Sequence, residues 1–113
     1  MKKLLYLTLL IIGLMSCTDS ADVCVNQIKD CIDTKSYPEE CISKALNQYC
    51  GTDFNTSRNE WWYEMKDWAK KSKKNKEKLI TLSEKLKEEA KDKGYKKLRL
   101  VAEEAIDNDI LSH

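Results

Sequence analysis

The stretch Cys24-Val-Asn-Gln-Ile-Lys-Asp-Cys31, followed after a break by Cys41-Ile-Ser-Lys-Ala-Leu-Asn-Gln-Tyr-Cys50, decides how this chain folds. Cys24, Ile28 and Cys31 are spaced by four and three, so one helical face over about Asp22 to Asp33 carries all three. Thr34-Lys35-Ser36-Tyr37-Pro38 interrupts the pattern. Pro38 suits the entry of a second helix, with Glu39 and Glu40 at its positive end. That helix is predicted to run to about Tyr49 with Cys41, Ala45 and Leu46 inward, and Cys50-Gly51 to close it. Two antiparallel helices joined by a tight turn bring Cys31 near Cys41 and Cys24 near Cys50. Four cysteines allow three connectivities. The hairpin favours the nested one, Cys31–Cys41 inside Cys24–Cys50. A four-cysteine zinc site is disfavoured, because the close Cys-x2–4-Cys pairs typical of such sites are missing.

Downstream, the predicted elements are again helical. After the polar connector 51–56, Ser57-Arg58-Asn59-Glu60 reads as a capping box ahead of an apolar cluster. Trp61, Met65, Trp68, Ser72, Asn75, Leu79, Leu82 and Leu86 then alternate by fours and threes, giving a long amphipathic helix over 58–93 that Gly94 stops. Its two middle seam positions are polar, so it either continues or breaks within Lys70–Lys76. A C-terminal helix over 95–111 places Leu98, Val101, Ala102, Ala105 and Ile106 on one side. No strand pattern of useful length occurs. The expected class is all-α: a disulfide-stapled hairpin at 23–50, a long helix and a C-terminal helix, forming one small domain over 23–113.

The N-terminus is of a different kind. Lys2 and Lys3 precede an apolar run from Leu4 to Met15, which is too short for a span of about 20 residues. This is the form of a secretory signal. Its end, Leu14-Met15-Ser16-Cys17, resembles the lipobox of bacterial lipoproteins. That resemblance implies a signal peptide over 1–16, a diacylglycerol on the Cys17 sulfur, acylation (a palmitate-type chain) on the new amino group, and a short lipidated tether over 17–22. With Thr18 after the cysteine, it also implies the outer membrane in a Gram-negative cell, the domain facing the periplasm. The alternative is an ordinary signal cut near Ser20 or Ala21, which gives a soluble secreted protein. Cysteine count favours the anchor: five is odd, and assigning Cys17 to lipid leaves four that can pair in an oxidising compartment.

Without Lys2 and Lys3, the 20 basic residues fall to 18 against 19 acidic. The distribution is uneven: 4 basic and 8 acidic over 18–60, 13 and 7 over 61–97, and 1 and 4 over 98–113. An exported chain excludes nucleic acid as the partner of the basic middle, leaving an anionic membrane surface, an acidic protein or self-association.

Catalysis has little to draw on. The single histidine is the terminal His113, and there is no phosphate-binding glycine loop or nucleophile elbow. Glu88-Glu89 and Glu103-Glu104 read as solvated surface, and Asn55-Thr56-Ser57 as a sequon that matters only in a eukaryotic secreted chain. No enzyme activity, cofactor, metal or small-molecule substrate is expected. The expected role is non-enzymatic binding of another envelope or incoming protein. In size and layout the chain resembles small lipoproteins that neutralise a toxin or exclude a plasmid or phage. Trp61, Met65 and Trp68 are assigned to the core. Trp62 and Tyr63 lie off that stripe and are the candidate partner-binding residues, with Lys70, Lys73 and Lys74 beside them. The lysines at 70, 71, 73, 74, 76 and 78 can alternatively rest on anionic headgroups or simply solubilise a helix. A second possible role is assembly, with the long helix pairing in a larger complex.

Overall fold

The computed structural model describes residues 20–57 and 60–112, so the expected signal peptide, Cys17 and the Arg58-Asn59 part of the capping box lie outside the described residues. The fold is all-α, as expected, and no strand occurs among the described residues. Among the described residues five α-helices follow one another: α1 (Ser20–Thr34), α2 (Glu39–Cys50), α3 (Glu60–Lys71), α4 (Lys73–Lys93) and the short α5 (Lys96–Leu100). The chain then continues into a wider π-helix, Val101–Leu111. No described helix is long and apolar enough to cross a membrane.

The hairpin forms where the cysteine spacing placed it. Cys31 and Cys41 are bonded, with their Cα atoms 5.7 Å apart, and so clamp α1 to α2 at the turn. Gly51 ends α2 in the left-handed conformation, φ 74°, where any side chain is strained. The nested partner bond is not formed: Cys24 and Cys50 are separate buried thiols. Helix geometry supplies the reason. Cys50 lies nine residues beyond Cys41, about 900° of rotation at roughly 100° per residue, which turns it half a circle from the direction of Cys41. Cys24 Sγ instead meets the Ala45 carbonyl at 3.6 Å. Ala45 precedes Cys50 by about 7 Å of helix. With one bond rather than two, Cys24 and Cys50 remain thiols, so cysteine parity no longer singles out Cys17.

The expected long helix breaks at one of its two polar seam positions. Ser72 is extended (φ −155°, ψ 152°) and its hydroxyl accepts from Asn75 N at 3.0 Å, forming the N-cap of α4. Asn75 Nδ2 donates back to Trp68 O at 2.7 Å, satisfying a carbonyl at the end of α3. Ser72 and Asn75 are thus hinge residues rather than members of a helix-pairing seam. On either side of the hinge, Trp61, Met65, Leu79, Leu82 and Leu86 are fully buried, so that stripe is consumed inside the molecule. Trp68 is only half-buried, and Ala69 takes the inner position next to it. Ser57 serves a tight turn, its Oγ donating to Asn55 Oδ1 at 2.7 Å, directly before α3.

In the last helix the buried side chains are Leu98, Ala102, Ile106 and Ile110, strictly four apart. An α-helix would rotate that row by about 40° at each step. Wider winding carries fewer degrees per residue and brings four residues back toward a full turn. Val101 and Ala105, expected on the inner side, are half-buried.

Cross-helix contacts fix the relative directions. Lys85 Nζ donates to Asp22 Oδ1 at 3.1 Å and Lys29 Nζ lies 3.9 Å from Glu89 Oε1, so α1 and α4 run parallel. Gln27 Nε2 donates to Gln48 Oε1 at 3.0 Å, and Tyr49 Oη to Lys78 O at 2.6 Å, so α2 runs against both. The start of α1 and the end of α2 therefore lie together, and α4, whose Lys85 meets Asp22, begins twelve residues, about 18 Å of helix, beyond that level. The disulfide, the 35–38 turn and Gly94 occupy the opposite end.

Candidate functional site

An open groove of about 570 Å³ lies toward the disulfide end. Its apolar lining is Ile32 of α1, Pro38 and Ile42 of the hairpin, Trp62 of α3, Leu100 of α5, and Val101 and Ala105 of the π-helix. Charges border it with mixed sign: Lys35 and Lys97 against Glu39, Glu104 and Asp109. Leu100 is 46% exposed, a large apolar side chain left in solvent at the lip. Such a patch within a charged rim has the composition of a protein-binding surface.

Trp62 is held in place by the residue before it. Trp61 is fully buried, and its Nε1 donates to Asn47 Oδ1 at 2.8 Å. Asn47 is satisfied on both sides of its amide: Nδ2 donates to Phe54 O at 2.8 Å, and Oδ1 also accepts from Thr52 Oγ1 at 2.8 Å. This network ties the 51–54 connector, α2 and the first turn of α3 together. The Trp62 ring meets Trp61 edge to face, 4.7 Å between centroids, and is thereby presented to the groove in one orientation.

The sequence candidates separate into two places. Trp62 lines the groove, whereas Tyr63, one residue and about 100° further round the helix, is 70% exposed and does not. Lys70, Lys73 and Lys74 are exposed around the Ser72 hinge, at the other end of α3. The groove residues Ile32, Ile42, Leu100, Val101 and Ala105 were not singled out as a site by the sequence. Each looks like an ordinary core position, and the packing leaves Leu100 exposed and Ile32, Val101 and Ala105 half-buried beside the buried Ile42.

A polar cluster joins α4 to the π-helix. Ser83, 1% exposed, donates to Asp107 Oδ1 at 2.7 Å, and Lys87 Nζ donates to Asp107 Oδ2 at 2.6 Å. The hydrogen bond that Lys87 donates to Asp107 raises the Lys87 pKa and favours the charged amine. The trio is a clasp between α4 and the π-helix. Burial pushes both Cys24 and Cys50 up to about 12, aided at Cys24 by its neighbour Cys50 and opposed at Cys50 by Lys78. These are inert thiols. Among the described residues, no group of three or more His, Cys, Asp or Glu side chains could hold a metal ion.

The feature that remains is an apolar cleft with a mixed-charge rim. No protein-family model, no curated protein and no solved structure matches the chain, so this geometry carries the functional argument.

Proposed function

We propose that the chain is a lipid-anchored binding protein of the bacterial envelope, tethered through Cys17, that takes a protein partner in the Trp62 groove without catalysis. One observation carries this reading: the groove and the point where the tether enters lie at opposite ends of α1. Ser20 to Ile32 is twelve residues, or about 18 Å of helix. From Cys17 to Ser20 the chain spans at most about 10 Å. A lipid on Cys17 thus holds the start of α1 at the bilayer and leaves the groove facing away from it. The partner chemistry that fits is an apolar side-chain cluster or amphipathic helix whose flanking charges match Lys35 and Lys97 on one side and Glu104 and Asp109 on the other. Immunity, inhibition or exclusion are the activities such a module performs at a cell surface.

The assembly role draws less support, because Leu79, Leu82 and Leu86 already pack inside the molecule. Photo-crosslinking from the native membrane tests the groove. A crosslinker at residue 100 is expected to trap a protein that Trp62→Ala abolishes and Tyr63→Ala leaves in place. Trapping insensitive to Trp62→Ala contradicts the site.

A further inference from the structure

We propose that the lysine tip at the Ser72 hinge is a docking surface for anionic phospholipid headgroups, a second membrane contact beside the acyl anchor. The location of the anchor comes from the functional reading above; the lipid affinity of the tip does not depend on it. Residues 70–78 hold six lysines and one glutamate. Lys70, Lys71, Lys73, Lys74 and Lys76 are all exposed, and none of the five takes part in an ion pair among the described residues. Four lysines elsewhere, Lys29, Lys44, Lys85 and Lys87, each face a carboxylate, and no other described stretch of the chain gathers unpaired lysines as densely as 70–76.

The hinge concentrates these charges. In one continuous helix, residues 70–76 would spread their side chains around the axis along about 9 Å. Breaking at Ser72 instead ends α3 and starts α4 at the same point, so two helix ends present lysines together at one extremity. It is the extremity nearest the tether. Tyr49 contacts Lys78 and Asp22 contacts Lys85, so Lys73, Lys74 and Lys76 project past the start of α1. Lys73 lies twelve residues before Lys85, so the tip projects about 18 Å of helix past the level of Asp22, farther than the roughly 10 Å of chain between Cys17 and Ser20, and meets a bilayer that faces this end. The charge complementarity is to a phosphate-rich surface rather than to a single phosphate, because the lysines are spread over the ends of two helices.

The test uses the unlipidated mature chain, residues 18–113, which contains every described helix and every core residue, with vesicles of phosphatidylcholine alone or with 30% phosphatidylglycerol. Cosedimentation is expected only with the anionic vesicles and is expected to weaken steeply with salt. The triple variant Lys71→Gln/Lys73→Gln/Lys74→Gln is expected to lose on the order of 100-fold in partitioning. The charge-matched control Lys91→Gln/Lys96→Gln/Lys97→Gln, at the groove end, is expected to lose far less. Unchanged circular dichroism establishes that both variants fold. Equal losses in the two variants, or no preference for anionic vesicles, overturns the proposal. Neither result touches the acylation of Cys17, which is read separately by mass.

Discussion

Asn47 is the residue on which the site most depends. Its side chain accepts from the Trp61 indole and from Thr52 and donates to Phe54 O, joining three segments behind the groove. Asn47→Ala leaves the buried indole N–H without a partner, at a cost of about 1–3 kcal/mol. Chemical denaturation of the variant is expected to show that loss. Partner capture should fall with it, because Trp62 is oriented through Trp61. The two buried thiols give a pH signature. Their folded pKa values, about 12, lie above the unfolded value of 9.0, so the unfolded chain releases these protons first. Their contribution is fully present below pH 9 and is lost as pH rises from about 9 to 12. Unfolding midpoints measured from pH 8 to 11 are expected to fall, and the fall should be smaller in Cys24→Ala/Cys50→Ala. Native thiols should also resist alkylation that proceeds readily in denaturant.

At the scale of elements, the hairpin and the hinge carry separate predictions. Cys31–Cys41 closes a loop of 10 residues, worth about 2–3 kcal/mol in chain entropy, and Cys31→Ser is expected to cost that much by denaturant melt. Ser72→Ala removes a side-chain N-cap and is expected to cost about 1 kcal/mol. The helices and the inner disulfide could be read from the sequence because the information is local: apolar periodicity, Pro38 before α2, and Gly51 and Gly94 after α2 and α4. The break at Ser72 could be read only in part. A polar residue at a seam position signals either a register-setting contact or a cap, and the Asn75 contacts that decide between them exist only in the folded chain. The Cys24–Cys50 bond was misread for a countable reason. Nested pairing was judged by distance along the hairpin, while rotation about α2 sends Cys50 to another face. The groove was the least legible feature. Its walls come from five separate elements, and nothing local in Ile32 or Leu100 distinguishes an uncovered apolar residue from a covered one.

At the scale of the whole molecule, the two proposed surfaces lie apart. The lysine tip projects past the start of α1, where the proposed tether joins, and the Trp62 groove lies toward the disulfide. The polarity follows from helix direction alone: α1 leads away from the tether, the disulfide turns the chain back, and α3 and α4 meet past the start of α1. Membrane contact and partner contact are therefore expected to be separable. Lysine-tip variants should change vesicle binding without changing capture, and Trp62→Ala should do the reverse. The most direct measurement of the central claim is the intact mass of the chain recovered from bacterial membranes after expression from its own start. An N-terminus at Cys17 with the added mass of a diacylglyceryl group and a further acyl chain is the predicted result. An unmodified chain beginning after Cys17, found in the soluble fraction, would contradict it.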